Sequence, residues 1–219
     1  MMPLSAAGGL FLLALSGGGW AHLTPLTDSS PPRDTHNSMS DSSLQITQGT
    51  TATRGDSRLG FVDSDGPQAV KLDVWTEQDK AWLTHWRLQV NQVFPVGDGF
   101  LQVRGIQRSG SRAVVSLVPA EAADGIVAPA ADQPILPMGG SLDMGLMRIE
   151  LTDPPANGTA RARLWPKLRP LATTADEDVR LVELGPGMTL DFGTRSLRVE
   201  RIQMETGDIA AFVAFSTQP

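Results

Sequence analysis

The stretch from Leu44 to Trp75 comes round again from Pro134 to Trp165, and this return limits the available folds more than any other feature. At a constant offset of 90, Gly49, Gly55, Arg58, Asp63 and Trp75 meet Gly139, Gly145, Arg148, Asp153 and Trp165. The apolar spacing agrees too. Leu59 and Phe61 fall on Ile149 and Leu151, and Val70, Leu72 and Val74 fall on Ala160, Ala162 and Leu164. Farther on, the offset reads 93 at Arg87 and Arg180, then 96 at Leu101 and Leu197, as if turns had lengthened while strands kept their size. LQVRGIQ, from Leu101, and LRVERIQ, from Leu197, then align in register.

The copied unit is built for sheet. In AVKLDVW, Val70, Leu72 and Val74 alternate with Lys71 and Asp73, the two-residue period of a half-buried strand. SDGP, PVGDG and RSGS punctuate the runs as turns. The closing segments RAVVSLV and IAAFVAF are apolar on both faces, as a covered strand must be. TEQDKAWLTHW is the one piece with a helical look, since Trp82 and Trp86 stand four apart. The expected fold is all-β: two tandem small β-sandwich or barrel-like repeats, of about six strands each by the spacing of the turns. Repeat 1 spans residues 44–118 and repeat 2 spans 135–219, with an Ala/Pro linker at 119–134. Units of this size without disulfides have marginal cores alone, so the two are expected to pack on each other.

Residues 1–21 carry no charged side chain and hold an apolar core at Leu10–Leu15 followed by small residues, which reads as a signal peptide-like leader. That core is well short of the ~20 apolar residues a bilayer span needs. Residues 22–43 are rich in Ser, Thr, Pro and Asp and too poor in apolar side chains to fold, so they read as a disordered tether. Export to the periplasm or the cell exterior is therefore expected, with no integral membrane span once the leader is removed.

A net charge of −6 argues against a nucleic-acid partner, which needs clustered cations to displace phosphate counterions. With no cysteine there is neither a disulfide nor a thiolate nucleophile or metal ligand. Of three histidines only His85 lies in the folded part, and no GxSxG or HExxH motif occurs, so no catalytic residue and no cofactor is assigned. Asp63, Asp65 and Gly66 open like a calcium loop, but the later ligands are missing and a turn accounts for them. Met138, Met144 and Met147 could offer soft thioethers to Cu(I), yet methionine commonly fills core gaps, and no metal site is assigned.

Partner-binding candidates are Trp75, Trp82 and Trp86, which could form an aromatic platform or fill a core, and Arg161 and Arg163, which alternate outward on one strand. An outward arginine row also guards a sheet against stray pairing. The function these features suggest is a non-enzymatic exported binding or assembly module of the bacterial cell envelope, recognising a protein or glycan partner. The alternative is an envelope polysaccharide hydrolase working through a pair of carboxylates.

Overall fold

The computed structural model describes residues 43–78, 81–122, 125–167, 178–193 and 195–218. The leader, and the tether apart from Ser43, lie outside the described residues. Every regular element described is a strand. The first half holds β1 (Leu44–Thr47), β2 (Thr51–Arg54), β3 (Ser57–Asp65), β4 (Ala69–Thr76), β5 (Trp82–Gln89), β6 (Val93–Val96), β7 (Gly99–Ser109) and β8 (Arg112–Ala120). The second holds β9 (Ile135–Pro137), β10 (Ser141–Met144), β11 (Met147–Leu151), β12 (Ala160–Pro166), β13 (Arg180–Leu184), β14 (Thr189–Asp191), β15 (Ser196–Gln203) and β16 (Phe212–Gln218).

Eight strands per half, against about six expected from the spacing of the turns, is a correction with a simple cause. Strands of three or four residues such as β2, β6, β9, β10 and β14 are too short to display an alternation. The helical expectation for TEQDKAWLTHW is corrected as well: Trp82–Gln89 is a strand in which buried residues alternate with more exposed ones. A four-residue step keeps Trp82 and Trp86 on one face of a strand just as it does on a helix.

The strands form three antiparallel sheets. One long sheet runs β13-β12-β11-β10-β5-β4-β3-β2, and two four-stranded sheets, β1-β8-β7-β6 and β9-β16-β15-β14, cover its two halves. Strand order is thus the same in each half. Details recur with it. The β2–β3 and β10–β11 hairpins turn through Gly55 and Gly145, both at φ 55°, which a side chain rarely adopts. Bulges fall between Val103 and Gly105 on β7 and between Val199 and Arg201 on β15. Pairing also revises one alignment: Leu184 stands beside Ala160 as Leu88 stands beside Val70. The step to 96 therefore occurs before β13, and the match of Arg180 with Arg87 is one of letters only.

The inward face of the long sheet builds two cores. The first gathers Leu59, Phe61, Val70, Leu72, Trp86 and Leu88 under Phe94, Leu101, Val115 and Leu117; the second gathers Leu142, Ile149, Ala162, Leu164 and Leu184 under Leu190, Leu197, Val199 and Phe215. Strands β9 and β16 serve both, since Ile135, Phe212 and Ala214 enter the first core while Leu136, Val213 and Phe215 enter the second. That double burial explains why IAAFVAF lacks a polar face; RAVVSLV, on β8, instead buries only Ala113, Val115 and Leu117, all in the first core, and leaves Val114 and Ser116 half-buried on its other face. Of the described residues between β8 and β9, Ala122, Ile126 and Ala128 pack on the first core.

Candidate functional site

Where the long sheet passes from one half to the other, β10 pairs with β5 over four residue pairs: Ser141 with His85, Leu142 with Thr84, Asp143 with Leu83 and Met144 with Trp82. On the inner side the Thr84 hydroxyl donates to the Ile135 carbonyl at 2.7 Å. The approach is close at its start. A methyl group placed on Gly140 would overlap the backbone carbonyl oxygen of His85 and lie 2.8 Å from the ring of Pro137, so this seam needs glycine at position 140.

On the outer side of the seam the alternation of β4, β5, β10 and β11 brings Asp73, His85, Asp143 and Arg148 together. His85 Nδ1 lies 2.7 Å from Asp73 Oδ1 and its Nε2 lies 3.2 Å from Asp143 Oδ2. Arg148 grips Asp143 with both arms of its fork, Nε to Oδ1 at 2.7 Å and Nη2 to Oδ2 at 3.0 Å. Lys167 Nζ adds a contact at 3.4 Å. Burial alone would push the His85 pKa down, but hydrogen bonds and charge from Asp143 and Asp73 outweigh it and raise the value to about 9. Burial would likewise raise Asp143, yet His85 and Arg148 hold its carboxyl well below the usual range.

These protonation states decide the chemistry. A doubly protonated imidazole with a carboxylate on each nitrogen has no lone pair to accept a proton at neutral pH. Asp143, held ionised, is the opposite of a carboxylic acid poised to protonate a leaving group. The cluster is a lock across the seam, with Asp73 and His85 from the first half and Asp143, Arg148 and Lys167 from the second.

Two grooves flank the outer face. One, of about 380 Å³, lies beside the seam, lined by Val62, Lys71, Asp73, His85 and Arg87 on one wall and by Gly139, Gly140 and Glu150 on the other. Its charges are engaged internally: Lys71 and Arg87 reach Asp65 at 3.2 and 2.6 Å, and Arg163 reaches Glu150 at 2.6 Å. The other, of about 430 Å³, lies along β13 and is lined by Thr152, Asp153, Arg161, Leu181, Val182 and Glu183. Its walls occupy the same places in the second half that Val62, Asp63, Lys71, His85, Trp86 and Arg87 hold in the first, by the β3–β4–β5 and β11–β12–β13 registers. The difference is that no strand among the described residues closes it on the far side.

The partner-binding candidates divide between the faces of the sheet. Trp75, Arg161 and Arg163 lie on the outer face: Trp75 is half-buried over Gly60, Arg161 edges the β13 groove, and Arg163 stacks 5.0 Å above the Trp165 ring. Trp82 and Trp86 point inward, 4% and 2% exposed, and Trp86 packs 5.4 Å from Phe94. Their rings present no stacking surface to solvent. Asp63 accepts from Ser64 N at 2.8 Å, and Asp65 is held by the cations above. Met144 and Met147 are cross-strand partners beside the Gly145 turn, not side chains on opposite faces as their spacing alone suggests.

Sequence reasoning missed the seam cluster and the β13 groove. The one available signal was that Arg148 repeats Arg58 while Asp143 has only Thr53 at the matching place. The chain matches no known protein family, no curated protein and no solved structure.

Proposed function

We propose that the chain is a duplicated β-unit fused through the β5–β10 seam, and that it works as a non-enzymatic exported binding or assembly module of the bacterial cell envelope. The repeated strand order, turn glycines and bulge positions support the duplication. The character of the leader and tether sequences supports export. Between the two partner classes a protein is favoured over a glycan, because two of the three candidate tryptophans are spent in the cores.

One observation carries the assembly reading: the β13 edge repeats an edge that, in the first half, is paired with a strand, and its groove repeats one that the second half walls on the far side. Leu181 stands there 73% exposed, a large apolar side chain at the sheet's end. The test is photo-crosslinking in cells from a residue placed at position 181, combined with fractionation. A discrete protein adduct in the envelope fraction is the expected result. Absence of any adduct, or a cytoplasmic protein, would refute it.

A further inference from the structure

The seam is a worked example of what the β13 edge can accept. In the first half, β5 is covered by β10, whose residues are all buried, and β5 itself buries Trp82, Thr84, Trp86 and Leu88. In the second half, β13 is more exposed than β5, and of its five residues only Leu184 is buried. The strand that corresponds to β10, namely β2 at the opposite end of the long sheet, alternates exposed and half-buried residues and buries none. One chain therefore carries at its two ends the separated halves of the contact it makes inside.

If a second copy added its β2 to β13 in the register of the seam, Thr51 would face Leu181 and Ala52 Arg180, while Thr53 and Arg54 would face Val179 and Asp178, the two residues just before β13 begins. The last pair is complementary in charge. One position disagrees. Gly140, which the seam needs bare, corresponds to Thr50, and a threonine there would drive its Cβ into the carbonyl of the receiving strand.

We infer that the β13 edge accepts an extended strand from another protein, one with glycine where Gly140 stands and an alternating run like Ser141–Met144 after it, and that Thr50 keeps the chain's own β2 out. This rests on the assembly reading and names the kind of partner it requires. The main-chain ladder supplies attachment, and the glycine requirement supplies selection. A head-to-tail contact between identical copies repeats from copy to copy, into a ring if its rotation closes and into a fibre if it does not, so barring it with a single side chain keeps the protein from assembling on itself.

The test turns the chain into its own partner. Full-length Thr50→Gly is compared with the unaltered protein by sedimentation velocity across a concentration series. The unaltered protein is expected to stay monomeric, and Thr50→Gly to self-associate at least about tenfold more tightly, the equivalent of one modest clash removed. Adding Leu181→Lys to Thr50→Gly is expected to abolish the gain. A folded Thr50→Gly that remains monomeric overturns the proposal, as does association that survives Leu181→Lys or an unaltered protein that already assembles through this edge. Should Thr50→Gly fail while crosslinks from position 181 persist, the strand acceptor falls and the partner-binding reading stands. If the crosslinks vanish as well, both fall.

Discussion

Strands β5 and β13 hold the same place in their halves, yet one is sealed by a strand and the other, among the described residues, is not, and their outward residues follow that difference. At the sealed strand stands His85, charged and held between Asp73 and Asp143. At the open strand the same place holds Leu181. The matching arginines of β11 and β3 are dealt differently too: Arg148 takes Asp143 across the β10–β11 hairpin, whereas Arg58, beside the β2 end of the long sheet, takes Glu77. Lys167, which matches Glu77 by position, joins Asp143. A buried carboxylate is expensive unless paired, and Asp143 is paired by Arg148 and Lys167 from its own half and by His85, which β5 delivers across the seam. Similar backbones have thus been given different charges according to whether a neighbour covers them.

The largest effect expected from breaking this contrast is at Gly140. Gly140→Thr should cost about 3 kcal/mol of unfolding free energy, through the clash with the His85 carbonyl, whereas Thr50→Gly should shift it by less than about 1 kcal/mol; denaturant titration of both reads the difference. Next comes Asp143→Asn, which leaves His85 and Arg148 without their shared anion. A loss of about 2 kcal/mol is expected, with the His85 pKa falling toward its ordinary value in an NMR titration.

The pH dependence follows the same lock. Because His85 is raised to about 9 in the folded chain, its stabilisation is complete below about 6.5, where unfolded histidine is also charged, and is lost as pH climbs through 9. Asp143 works in the other direction, its share present above about 4 and lost as pH falls into the acid range. Stability measured from pH 7 to 10 should decline by on the order of 2 kcal/mol, and His85→Gln should flatten that limb. The smallest effect belongs to the open end. Arg58→Ala removes an exposed pair with Glu77 and should cost less than about 1 kcal/mol at low salt.

Much of the fold could be read from the residues. The two-residue alternation of Val70, Leu72 and Val74 shows a strand because side-chain direction is a local property, and Gly55 and Gly145 show turns because their φ is local as well. Trp82 and Trp86 misled because a four-residue step satisfies both the strand and the helix period. Arg180 misled because a matching letter outweighed the loop insertion that the register reveals. The seam itself was illegible. Thr84 and Leu142 lie far apart in sequence, and nothing in either short strand specifies the other as its neighbour. The state of Asp143 depends on that long-range pairing, so it could not be reached before the pairing was known.

Continuity of one sheet from β5 into β10 underlies all of these comparisons, and cross-strand proton contacts in solution measure it directly. NMR of the full chain should give backbone NOEs linking Leu83 and Thr84 with Leu142 and Asp143, together with slow amide exchange at this junction matching that between β4 and β5. Missing NOEs with rapid exchange at those amides would mean that the halves are separate sheets, contradicting the seam and the correspondence drawn from it.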